Sequence, residues 1–154
     1  MSSITPIIPK NVLDPARFKA AIEQALDTQA RATKSDFDKV TASWGHKPGF
    51  AIKSSSGQRE ISTSSDIFGY VNFGTSAHII RPRGRFLRFP GSFSPKTAPG
   101  LLASMSGMRG GPEVFAKEVH HPGTKPRGFD KLIAKKSEQE LVKAINRAIA
   151  KVAH

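Results

Sequence analysis

Cysteine is absent from this chain of 154 residues. That excludes disulfide staples and thiolate metal sites, and it fits a protein that folds or assembles inside a cell. No apolar run approaches the roughly 20 residues that span a bilayer, so a soluble protein with no membrane partner is expected. Met1 to Pro9 has neither a basic start nor an apolar core long enough for a signal peptide. Acidic residues are scarce, 12 against 24 Lys and Arg, which leaves a net charge of +12. They are also unevenly placed, because none lies between Asp66 and Glu113. In that gap fall Arg81, Arg83, Arg85, Arg88, Lys96 and Arg109, a positive island in the middle of the chain. Such an excess favours polyanions or acidic protein surfaces, and its plainer alternative is a solubilising surface.

The length suits a single domain that buries roughly 70% of the surface of its unfolded chain. With 38% apolar and 23% charged residues, a folded core is expected, but not a generous one. Residues 1–13 carry two prolines, Pro6 and Pro9, and apolar residues without a period, so they read as an extended arm. Residues 14–154 read as one domain. Asp14 before Pro15 is a helix start, the carboxylate capping free amides and the proline fitting the first turn. From there Phe18, Ile22, Ala25, Leu26, Gln29, Thr33, Phe37, Val40 and Trp44 recur at helical spacing, and the helix ends near Gly45 and Pro48.

The centre changes period. Phe50 to Ser54 and Arg59 to Thr63 predict a β-hairpin about Ser-Ser-Gly-Gln. Ile67 to Phe73 continues apolar to Gly74 and is expected in a sheet. His78–Arg81 and Arg85–Phe89 flank Pro82-Arg-Gly84, which predicts a second hairpin, and Val114 to Val119 predicts a further strand. Between them, Pro90 to Pro112 holds five glycines, four prolines and four serines with no sustained period. A loop of this length, about 90–112, is functional or orders against a partner, with Leu101, Leu102, Met105 and Met108 as adaptable contacts. A second long helix begins near Phe129 and keeps an apolar stripe to Val152. The fold class is therefore α+β: an antiparallel β-sheet packed by a long N-terminal and a C-terminal α-helix.

Chemistry-bearing clusters are few. His78, His120 and His121 could gather as metal ligands, but no carboxylate or cysteine lies between Asp66 and Glu113 to join them, and adjacent histidines point to opposite sides of an extended chain. No metal or cofactor is expected. A histidine-dependent hydrolase remains a third reading, but no spacing specific to acid–base work or to an activated nucleophile is present. The plainer role of His78 is structural, bonding backbone near the Gly-Thr turn. Arg81, Arg83, Arg85 and Arg88 form a cationic finger suited to phosphate or carboxylate. Without a helix-turn-helix, zinc finger or ribonucleoprotein motif, such a finger binds nucleic acid without reading its sequence. A non-sequence-specific nucleic-acid-binding module is thus the alternative function.

Two signatures together resemble a family. Tyr70-Val-Asn-Phe-Gly74-Thr75, His78-Ile-Ile-Arg-Pro82 and Leu87-Arg-Phe89 are followed by Val119-His120-His-Pro122-Gly123-Thr124 and Phe129. In order and spacing they are similar to the tail-completion or head–tail neck proteins of long-tailed bacteriophages, over roughly Trp44 to Val152. The resemblance implies a non-enzymatic virion structural protein, assembled in the host cytoplasm as a ring, hexameric by analogy, around the DNA channel. It implies neighbours among stopper, tail-terminator and tail-tube proteins, with packaged DNA in the lumen. The arginine island then faces DNA or an acidic neighbouring ring. The N-terminal arm and the 90–112 loop extend the pattern and are candidates for contacts between subunits.

Overall fold

The computed structural model describes residues 14–93 and 109–152, without the side chains of 92–93 and 109–111. The arm at 1–13, Lys96 and the centre of the expected loop lie outside the described residues, as does the side chain of Arg109. The protein is α+β. Helix α1 (Pro15–Thr41) opens on Asp14, whose carboxylate accepts from the Ala16 amide at 2.9 Å. Strands β1 (Ala51–Ser55) and β2 (Gln58–Ser62) form the expected hairpin about Ser56 and Gly57. Helix α3 (Phe129–Val152) closes the described fold.

Helices α1 and α3 run antiparallel. Lys136 Nζ lies 2.7 Å from an Asp36 oxygen and Ser137 Oγ lies 2.7 Å from Thr33 Oγ1, while Ala144 and Ala148 face Ala21 and Ala25. The core gathers at one end of this pair. Val40, Phe50, Phe68, Phe129 and Ile133 are buried, with Phe37, Trp44, Ile61 and Val71 packed on them. Its rings meet edge to face or offset, as at Phe50–Phe68, with centroids 5.2 Å apart and planes at 88°. Phe129, fully buried, closes the core from the first turn of α3.

Three sequence expectations are corrected. Asp66–Phe73 is helix α2, not a strand. Ser65 caps it, its side chain accepting from the Phe68 amide at 3.2 Å, and Phe68, Val71 and Asn72 turn inward at helical spacing. Second, no hairpin forms about Pro82–Gly84. Strand β3 (His78–Ile80) pairs with β6 (Val119–His121), and β4 (Leu87–Phe93) pairs with β5 (Arg109–Ala116). The expected strand Val114–Val119 is therefore split between β5 and β6 at Lys117 and Glu118. Third, Pro90–Phe93 and Arg109–Pro112 are not loop but the continuation of the β4–β5 ribbon, with a register shift between Pro90 and Ser92. The antiparallel strands thus form three two-stranded ribbons. Helix α1 packs on β1–β2, whereas β4–β5 pairs chiefly with itself. Among the described residues no helix is long and apolar enough to cross a membrane.

Candidate assembly surface

The two sequence signatures meet in space. Thr75 and Thr124 exchange backbone hydrogen bonds, Thr75 N–H to the Thr124 carbonyl at 3.0 Å and Thr124 N–H to the Thr75 carbonyl at 3.1 Å. This bridge is in the register of the β3–β6 ladder, three residues before His78 on one side and three after its partner His121 on the other. Gly74 (φ 78°) and Gly123 (φ 88°) flank it. A Cβ on Gly74 would run into the Thr124 carbonyl oxygen, and one on Gly123 into that of Thr75. Both positions need a left-handed backbone and the absence of a side chain.

The same clasp joins two helix ends. The last carbonyls of α2 and the first amides of α3 lack partners within their own helices. Arg127 and Gly128 amides donate to the Val71 and Asn72 carbonyls, and the Asp130 amide donates to Asn72 Oδ1, each at 3.1 Å. Asn72 is 1% exposed. It is the polar pin of the core, and sequence reasoning passed over it.

The histidines have separate surroundings. His78 and His121 stack across the ribbon, ring centroids 5.0 Å apart. His78 Nδ1–H donates to the Ser76 carbonyl at 2.8 Å, beside the Gly-Thr turn, and His121 Nδ1 accepts from the Gly123 amide at 3.0 Å. His120 faces Glu118 instead. Among the described residues no group of three or more histidines and carboxylates is placed to hold a metal.

The arginines have different surroundings: Arg88 lies in β4, and Arg81, Arg83 and Arg85 lie in the connection between β3 and β4. Arg88 makes a two-point contact with Glu113 across β4–β5, and Arg81 lies 3.7 Å from Glu118. Arg83 and Arg85, in the β3–β4 connection with Pro82, are exposed and have no ion-pair partner among the described residues. The same region carries large uncovered apolar groups. Ile67, Tyr70 and Phe73 on α2, Ile79 and Ile80 on β3, and Phe86, Phe89 and Phe115 on and beside β4–β5 are all exposed. Tyr70 and Phe89 of the motif are therefore surface residues, whereas Phe129 is core.

Away from this surface, the hairpin is clamped to α1 by Arg59, which the sequence did not single out. Its side chain, 9% exposed, reaches Glu23 at 2.7 Å and also bonds Asp27 and the Ser55 and Gln58 carbonyls. The Arg59 guanidinium, with the Gly57 amide, holds the Glu23 carboxyl below its usual range. The same guanidinium lowers Asp27. Alternation around Arg59 in β2, opposite acids one helical turn apart in α1, was the available signal.

Comparison with protein-family models, with curated proteins and with solved structures finds no match.

Proposed function

We propose that this protein is a structural subunit of the neck of a long-tailed bacteriophage, a tail-completion or head–tail joining protein that assembles as a ring. One observation carries the reading. Eight large apolar side chains between Ile67 and Phe115 stand exposed on or beside the short elements α2, β3 and β4–β5. Soluble monomers rarely leave extensive apolar surface uncovered, and two-stranded ribbons are marginal unless packed on something. A subunit that completes its packing in an assembly accounts for both. In a ring of like copies, Arg83 and Arg85 are repeated around an axis, available to DNA in the channel, to an acidic neighbour such as a stopper, terminator or tube protein, or to the next copy. The protein is then a component of the virion, without catalytic activity.

Arg83 and Arg85, with no ion-pair partner among the described residues, also favour the second reading, a monomer that binds nucleic acid through phosphate contacts alone. Negative-stain electron microscopy of lysates from a phage lacking this gene separates the two. The neck reading expects full heads apart from tails, or joined particles with defective necks. Intact, normally infectious particles discard it and leave the nucleic-acid module.

A further inference from the structure

Helix α2 contains a glycine for which its own chain has no use. Gly69 lies in the helix interior, where glycine is the least favourable residue after proline. No positive φ demands it, and beyond its chain neighbours and its own helix backbone no atom of the described residues lies within 4 Å of the place its Cβ would take. Gly74 and Gly123 are explained by the clasp. Gly69 is not. Over it lies a groove of about 370 Å³ walled by Tyr70 and Phe73, which are 58% and 70% exposed. Asp66 is the single charged residue of the lining. It has no ion-pair partner among the described residues, as is also true of Asp14, Glu60, Asp130 and Glu138, whereas Glu23, Asp27, Asp36, Asp38, Glu113, Glu118 and Glu140 are engaged.

The β3–β4 connection presents the complement. Phe86 is 52% exposed and follows Arg85, which, like Arg83 in the same connection, has no ion-pair partner among the described residues. We propose that Phe86 of one copy seats in the Gly69 groove of the next, with Arg85 meeting Asp66. The glycine then serves the close approach of an aromatic ring, and Tyr70 and Phe73 cover its faces. Copies carrying +12 each repel one another, so a contact between them must avoid facing cations. The groove meets that requirement, since its one charge is negative. The contact joins two different patches, so it is head-to-tail and makes a ring when the rotation closes. This inference rests on the reading that copies assemble, and it names the contact.

The cysteine-free chain allows a clean test. Full-length Asp66→Cys and Arg85→Cys variants, each keeping Phe86 and Gly69, are mixed in equal amounts, oxidised mildly, and mapped by peptide mass spectrometry. The expected product is the mixed dimer linking 66 to 85, well above the like dimers. A statistical mixture, dominance of like dimers, or no cross-linked dimer overturns the proposal. Gly69→Leu fills the groove without meeting the chain's own atoms and is expected to abolish self-association in sedimentation, with the subunit's melting temperature kept or raised. Undiminished association also overturns it. In the phage, if the deletion separates heads from tails but Gly69→Leu restores joining, this contact falls and the neck reading stands. If the 66–85 link forms and the deletion leaves particles normal, the contact stands and the neck reading falls.

Discussion

At Gly123 the backbone turns left-handed and passes the Thr75 carbonyl so closely that a methyl group has no room. Gly123→Ala therefore combines left-handed strain with a backbone clash, an expected cost of about 2–4 kcal/mol. Gly57 in the β1–β2 turn has φ 73° but nothing near its Cβ position, so Gly57→Ala carries the strain alone, about 1–2 kcal/mol. Denaturant unfolding of both variants checks the difference, and equal costs would remove the close approach from the account of Gly123. Asn72→Ala strips the Asp130 amide of its acceptor, which costs about 1–3 kcal/mol. It also removes Asn72 Nδ2, a buried donor with no partner among the described residues, so the net loss is expected near 1–2 kcal/mol. A loss well above that range would mean that Asn72 acts by more than this one bond. At this scale the sequence was half legible. Gly74 and Gly123 read as turns, because glycine beside proline or threonine marks them locally. That the turns hold each other was hidden, since Thr75 and Thr124 are 49 positions apart. The burial of Asn72 was hidden too, because a polar residue in an apolar run carries no mark of being inside.

Among the elements, α1, α3 and the first hairpin were legible because each has one buried face and one wet face, with clear caps or turns. Helix α2 was not. Its β-branched and aromatic residues favour a strand, and both faces are apolar, Phe68 and Val71 inward and Ile67, Tyr70 and Phe73 outward. The cap at Ser65 and the core decided the matter against local propensity. The β3–β4 hairpin failed for a different reason. A Pro-Arg-Gly turn looked sufficient, but the Thr75–Thr124 bridge already sets β3 in register with β6. The Arg59 clamp yields a prediction at this scale. Glu23 and Asp27 are lowered by Arg59, so their stabilisation is complete above the ordinary carboxylate values near pH 4 and is lost as pH falls through the lowered ones. Hydrogen exchange of the Arg59–Ile61 amides is expected to be steady from neutral pH to about 5 and to lose protection below about 4, after correction for intrinsic rates. Arg59→Met should weaken protection at neutral pH and abolish the acid step. An acid step that survives in Arg59→Met would assign it to other carboxylates.

For the whole molecule, charge decides how copies and DNA compete. Each chain carries +12, and one exposed Arg–Asp pair contributes about 0.2–1 kcal/mol at most. Repulsion between whole subunits therefore outweighs the attraction of any single pair at low salt, and screening reverses the balance once the Debye length falls below about 10 Å near 0.1 M. The apolar groups on α2, β3 and β4–β5 are untouched by that screening. Self-association is thus expected to strengthen as salt rises from about 50 mM to about 200 mM, read by sedimentation velocity. Binding to duplex DNA must run the other way, because log K falls with log salt by about 0.9 for each phosphate neutralised. Arg83→Glu with Arg85→Glu should flatten the DNA slope by about two phosphates' worth and leave the melting temperature of the free subunit unchanged, since neither arginine has an ion-pair partner among the described residues. An assembling subunit shows both trends with opposite signs. A monomer at all salt concentrations with a steep DNA slope is what the nucleic-acid module requires, and that pattern would transfer the arginines from a ring to a free phosphate-binding finger.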